Sequence, residues 1–527
     1  MQLWLLALVL GTASGLAAIG LRFGIAALEE MFYGADDRLL ATRAAELPWW
    51  WLVAVPLLGG LIVGQITHRF TPDGRVQAVA DVIEGAALNK GRVDTRAGWA
   101  SALASLVTLG MGGSTGREGP AVHLGAVLSS HVARLIRADG MTGRDLLGCA
   151  TAAAVAASFN APIAGAIFAH EVILRHFALH AIAPISIAAL AGTVVNRVLL
   201  GDVPEFVLAT QPELVFYAEL PAFVLLGLFS GLVAGLVMRA EMWGEDAAAH
   251  VVQLTRLPPW LRPALAGALL GALAIAFPHV IGVGYETTNA ALAGRSAFGA
   301  AILFAVVKTV AMIITLAGRL GGGVFSPSLM IGALTGLAFG HVATALAPGL
   351  SGSETLYAMA GMGAVAGAVL GAPLSTMLIA LELTASWQVG LAVMAAVPAA
   401  SALAGRIVER SFFLTQLERR GIHLAAGPQA WLLATLRVRE LMRPLGAPAV
   451  PDEEALWELV EKGLYVDVAA SLEAAMPIFE TAGTPVLAVV RLSGADQPPE
   501  LVGALRESDA LRAYNRALAE TAAEEHS

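Results

Sequence analysis

The chain has 527 residues, 57% hydrophobic and only 14% charged, with a formal charge of −9. Its mean hydropathy of +0.71 excludes an ordinary soluble globular protein and leaves a polytopic membrane protein. No segment is basic enough for nucleic acid, and the lone Cys149 excludes an intrachain disulfide and fits no metal pattern.

Uncharged stretches recur at Met1 to Leu21, Leu47 to Thr67, Leu146 to Ala169, Pro221 to Met238, Gly321 to Ser353 and Thr355 to Leu381. Most are long enough to cross about 30 Å of hydrocarbon as helices. The first has no basic region before it and runs on through Arg22 into more apolar sequence, so it reads as a retained helix and not a cleaved signal.

Between the second and third stretches lies Gly116-Arg117-Glu118-Gly119-Pro120. A charge in such surroundings is costly and calls for a function. Gly112, Gly113, Gly116 and Gly119 let the backbone approach a ligand, and Pro120 suits the first turn of a helix read over Ala121 to Leu135. The first amides of that helix carry the positive end of its dipole, which makes an anion site. Glu118 can fill that site as a carboxylate, compete there with a small mobile anion, and release it on protonation. The plainer reading is a glutamate that only caps its helix. His123 reads as a packed or pore-lining histidine.

Phe159-Asn160-Ala161-Pro162 and Leu370-Gly371-Ala372-Pro373 each interrupt an apolar stretch at depth, which is tolerated only against protein or a polar cavity. These breaks belong to an internal repeat. Pro120, Gly125 and Ala126 are matched 207 residues later by Pro327, Gly332 and Ala333, and Ala161-Pro162 precedes Glu171 as Ala372-Pro373 precedes Glu382, at an offset of 211. If the two halves are inverted, the helix start at Glu118 and that at Gly323-Val324-Phe325-Ser326-Pro327 face each other near the midplane, aiming two dipole ends at one anion.

His170-Glu171 raises a different reading, an intramembrane zinc protease of the H-E-x-x-H type. The spacing opposes it, since position 174 is Leu and the next histidines are His176 and His180. From Gly427 to Ser527 there are 16 acidic and 8 basic residues, a net of −8, so nearly all the formal charge lies there. A strand is plausible over Thr484 to Val490 and a helix over Ala504 to Thr521, which places a boundary between a membrane domain and a soluble one near Ala425 to Gln429.

Gly116-Arg117-Glu118-Gly119-Pro120, Gly322-Gly323-Val324-Phe325-Ser326-Pro327 and Phe159-Asn160-Ala161-Pro162, in this order, resemble the CLC chloride channels and chloride/proton antiporters over roughly residues 5 to 425. The resemblance implies a homodimer with one anion pathway per subunit. It implies that Glu118 is the gating glutamate and that the amides of Val324 and Phe325 bind the anion. Three positions depart from the family pattern. Gln77 stands where a serine hydroxyl is usual, Phe413 where a tyrosine is usual, and Val172, after Glu171, where many antiporters carry an inner proton-transfer glutamate. Valine cannot relay a proton, which favours a channel-like or weakly coupled transporter over a coupled exchanger. The tail resembles one CBS module, opening at Val438 to Pro444 and closing at Leu501 to Tyr514. Arg506, where a Ser or Thr usually precedes the ribose-binding aspartate, here Asp509, speaks against nucleotide binding.

The expectation is therefore an all-α polytopic membrane protein with a CLC-type inverted repeat of about eighteen helices and a small α/β CBS-like cytoplasmic tail. The domains are 1–425, in halves of about 1–205 and 206–425, and 426–527. It is not an enzyme and needs no metal or cofactor. It moves chloride or another small anion, with protons as a second passenger in the alternative antiporter reading. Glu118 gates, Gln77, Gly116, Arg117, Gly119, Gly323, Val324, Phe325 and Phe413 bind the anion, and Glu171 and Val172 mark the proton path. A bacterial inner membrane with both termini cytoplasmic is the expected location.

Overall fold

The computed structural model describes residues 2–201, 219–349, 351, 353–384, 386–422, 424, 432–433, 436–491 and 499–525. The chain divides into two compact units, one of Met1–Leu174 with Ala181–Arg419, the other of Arg175–His180 with Arg420–Ser527. The expected boundaries at Ala425 to Gln429 and near 205 lie outside the described residues.

Hydrocarbon offers no hydrogen bonds, so apolar runs satisfy their backbone internally as helices. The first half of the large unit comprises α1 (Gln2–Tyr33), α2 (Leu40–Ala44), α3 (Trp49–Phe70), α4 (Val79–Leu88), α5 (Thr95–Gly110), α6 (Glu118–Leu135), α7 (Gly140–Phe159), α8 (Pro162–Phe168) and α9 (Leu179–Leu200). A π-helical turn, Ala169–Leu174, extends α8. There follow α10 (Leu220–Thr255), α11 (Arg262–Ala276), α12 (Tyr285–Leu292), α13 (Phe298–Ala317), α14 (Phe325–Leu346), α15 (Glu354–Leu370), α16 (Pro373–Thr384), α17 (Trp387–Ile407) and α18 (Phe412–Arg419). Among the described residues, eight helices are long and apolar enough to cross a membrane.

The breaks fall where the sequence placed them. α7 ends on Asn160 in the left-handed region (φ 55°) and α15 on Gly371 (φ 67°), each followed by Ala-Pro and a new short helix. α8 and α16, equivalent in the repeat, pack against each other, as do α6 with α7 and α14 with α15. The last contact is backbone to backbone, since a Cβ on Gly361 would lie 2.6 Å from the Gly336 Cα. Such close approach through small residues is how helices associate without a hydrophobic driving force.

Some boundaries differ from expectation for identifiable reasons. α6 begins at Glu118, three residues before Ala121, because Gly119 and Pro120 already take helical geometry. α10 runs past Met238 through Arg239, Glu241 and Glu245 to Thr255, where a search for uncharged runs stops. α13 presents no long uncharged run because Lys308 interrupts it, yet Lys308 is fully buried and its Nζ donates to the Gly282 carbonyl at 2.8 Å.

In the small unit, α19 (Val438–Leu441), β1 (Arg443–Pro444), α20 (Glu453–Glu461), β2 (Tyr465–Asp467), α21 (Leu472–Ala482), β3 (Val486–Arg491), β4 (Glu500–Arg506) and α22 (Glu507–Glu525) form an α/β fold. The sheet order is β1-β4-β3-β2, with β2 and β3 parallel and the other pairs antiparallel. Leu472, Phe479, Leu487, Val489 and Leu505 fill its core. Ala504 to Arg506, read from sequence as helix, is strand; Ala504 lies opposite both Arg443 and Ala488, and that pairing overrides its helical propensity.

Candidate functional site

Two glycine-rich loops meet where α6 and α14 begin. The Gly116 N–H donates to the Gly323 carbonyl at 2.7 Å and the Gly323 N–H returns to the Gly116 carbonyl at 2.8 Å. Gly322 makes this approach possible, with φ of +130° and the Thr115 side chain filling the space a Cβ would need. Both helix starts are thereby pinned to each other across the repeat.

This bridge decides which amides remain for a ligand. The N–H groups of Gly116 and Gly323 are spent on each other. In α14, helical bonding starts with the Ser328 N–H on the Val324 carbonyl and Pro327 has no N–H, so those of Val324, Phe325 and Ser326 precede the ladder. In α6, the Ala121 N–H reaches the Arg117 carbonyl, which leaves Glu118 and Gly119 ahead of it.

Glu118 is 1% exposed and sits between these two starts. Its Oε1 accepts from the Ser326 hydroxyl at 2.6 Å and from the Tyr285 hydroxyl at 3.2 Å, while Oε2 has no hydrogen-bond partner among the described residues. Beside it is a cavity of about 30 Å³ lined by Glu118, Gly119, Val324, Phe325, Phe413 and Gln416, among others. One water needs about 10–15 Å³ by this measure, so the space suits a pair of waters or one small anion. Phe325 packs on Phe159 with ring centroids 4.8 Å apart and on Phe168 at 6.1 Å, which closes one wall with hydrocarbon.

The remaining expected site residues are distributed differently. Gln77 does not line the cavity, whereas its neighbour Ala78 does; the Gln77 N–H donates to Ser101 Oγ at 2.9 Å and its Oε1 is buried without a partner. Arg117 also stays out of the cavity. Its guanidinium pairs with Asp37 at 2.8 Å and covers the Tyr285 ring at 4.7 Å. Val172 is buried in the π-helical turn. Glu171 accepts from the N–H groups of Leu374 and Ser375, both at 2.8 Å, and from Ser375 Oγ at 2.5 Å, so both its oxygens serve α16. Among the described residues, no group of three His, Cys, Asp or Glu is placed to hold a metal.

Three participants were not singled out from the sequence. Ser326 stands inside a glycine-rich motif whose sequence points to its backbone amides and not to its hydroxyl. Tyr285 follows Gly282-Val283-Gly284, a glycine pattern that marks close backbone approach, but nothing local points it at a residue 167 positions earlier. Asp37 lies in a short charged loop that reads as solvated surface.

The fold is that of a multi-pass membrane protein in which two helix starts are paired across an internal repeat. Residues 59–405 match a family model described as voltage gated chloride channel. Over 395 residues the chain is 34% identical to the putative chloride channel protein ClcB-like of Ralstonia nicotianae, covering 74% of this chain and 90% of that one. A crystal structure of a slow cyanobacterial Cl-/H+ antiporter matches with a TM-score of 0.70 at 21% identity, over 80% of this chain and 98% of that one. A eukaryotic CLC transporter matches at 0.68 and 18%, over 96% and 97%. The chain belongs to the CLC family of chloride channels and transporters. It is a chloride-transport protein and not an enzyme, so the protease reading of His170-Glu171 falls.

Proposed function

We propose that the protein carries chloride or a similar small anion through the cavity beside Glu118, with that glutamate as a protonatable gate and with weak proton coupling at most. The carrying observation is the Glu118 carboxylate buried between the starts of α6 and α14, whose first amides precede the helical ladder. An ionised carboxylate competes with an anion for those donors, and protonation removes its charge and frees them. Val324, Phe325 and Gly119 supply amides to the anion, while Phe413 supplies a ring without a hydroxyl. Val172 in place of a carboxyl supports weak coupling.

Coupled chloride/proton exchange is the second reading, favoured by the likeness to the cyanobacterial Cl-/H+ antiporter. We further propose a homodimer with a pathway in each subunit, a membrane domain of 1–425 and a tail of 426–527, both termini cytoplasmic, in a bacterial inner membrane. The tail serves structure and not nucleotide binding. Asp509 is held by Arg443 through two hydrogen bonds, of 2.7 and 3.1 Å, and is not offered to a ribose.

The test is the reversal potential of purified protein in a bilayer under a chloride gradient, with and without a pH gradient. A reversal at or near the chloride Nernst potential that barely moves with pH is expected. A large shift with the pH gradient favours coupled exchange, and no anion current or flux at all refutes both readings.

A further inference from the structure

Two hydroxyls converge on the Glu118 carboxylate, and neither stands at position 77 or 413, where the family resemblance places hydroxyl donors. We propose that the Tyr285 and Ser326 hydroxyls are the latch of the gate, holding ionised Glu118 at the start of α14, with the Asp37–Arg117 pair fixing the ring that carries one of them. The inference rests on reading Glu118 as the protonatable gate.

The geometry makes Tyr285 a preset donor. Its ring is buried, and the Arg117 guanidinium covers one face at 4.7 Å. Arg117 is itself held by Asp37 at 2.8 Å, so the ring is fixed from outside the cavity. The turn leading into α12 is equally constrained. Gly282 and Gly284 take φ of +70° and +98°, and the buried Lys308 ammonium donates to the Gly282 carbonyl at 2.8 Å. A Cβ at Gly284 would lie 2.5 Å from Met330 Sδ on α14, which ties the turn to the helix Glu118 faces. Ser326, on the first turn of α14, adds the shorter bond of 2.6 Å.

Both hydroxyls donate, so they favour the charged acceptor. Hydrogen bonds to an ionised group are roughly twice as strong as neutral ones, and the latch therefore loosens when Glu118 takes up a proton. The charged and titratable groups around this point are Glu29, Asp37, Arg117 and Lys308 towards Gly282, His123 further along α6, and the Arg75–Asp81 pair at the start of α4. The Tyr285 hydroxyl donates to the Glu118 carboxylate, so deleting it acts on the gate directly.

The test is chloride efflux from proteoliposomes against external pH for the full chain, comparing wild type, Tyr285→Phe, Ser326→Ala, Glu118→Ala and Tyr285→Phe in the Glu118→Ala background. Losing one charge-assisted bond moves half-activation of flux up by about one pH unit, a tenfold change in proton concentration, in either hydroxyl variant. With the glutamate gone, Tyr285→Phe has no further effect. A Tyr285→Phe profile identical to wild type overturns the latch, as does a flux change of equal size in the Glu118→Ala background, which would make Tyr285 part of the wall. If Tyr285→Phe does not fold, Ser326→Ala decides on the same criterion. A wild type whose flux ignores pH overturns the gate reading, and the latch with it.

Discussion

Glu171 and Glu382 cap each other's half of the molecule. The Glu171 carboxylate accepts from the N–H groups of Leu374 and Ser375 at the start of α16, and the Glu382 carboxylate accepts from those of Ile163 and Ala164, at 3.0 and 2.8 Å, at the start of α8. The sequence offset of 211 residues is thus a spatial exchange, in which each half satisfies the orphan amides that its partner's Ala-Pro break exposes.

That exchange carries a prediction about stability. Glu171→Gln and Glu382→Gln each lose about 1–2 kcal/mol, since a neutral amide presents one acceptor and two donors to amides that themselves donate. Thermal unfolding in detergent should show a lowered midpoint for both, with anion flux per folded molecule kept. Flux lost at unchanged stability would move Glu171 from clamp to pathway.

Phe413 lines the cavity with a bare ring. Phe413→Tyr adds a donor beside the anion and should tighten chloride binding two- to tenfold, about 0.5–1.5 kcal/mol, by calorimetry at fixed pH. An unchanged affinity would mean that the ring edge does not reach the anion.

In the small unit, hydrogen bonding to Arg443 holds the Asp509 carboxyl below its ordinary 3.8. A carboxyl depressed in the folded state stabilises above its unfolded value and loses that contribution as pH falls through the folded one. Hydrogen exchange of β1 and β4 in the full chain should therefore be faster in Asp509→Asn than in wild type at pH 7, with the difference fading once pH drops below 3.8. A difference that persists in acid would point to shape and not charge.

Much of this architecture is legible in the residues, because a membrane makes every polar group conspicuous. Glu118 stands out through the cost of a charge, and the breaks at Asn160 and Gly371 through residues that tolerate left-handed backbone before Ala-Pro. What escapes is whatever depends on a distant partner. Lys308 breaks the uncharged run of α13, although its Nζ is buried and donates to a carbonyl 26 residues away. Gly116 and Gly323 read as anion donors until their mutual bridge is known. Gln77 and Ala78 differ by one position, and which of them faces the cavity is set by how the loop enters α4, where Asp81 accepts from the Ala78 N–H at 2.8 Å.

The most direct measurement of the central claim is chloride efflux from liposomes against external pH for wild type and Glu118→Gln. Flux that rises as pH falls in wild type, and is high and flat with pH in Glu118→Gln, is the predicted result. Acid activation that survives in Glu118→Gln would place the gate elsewhere.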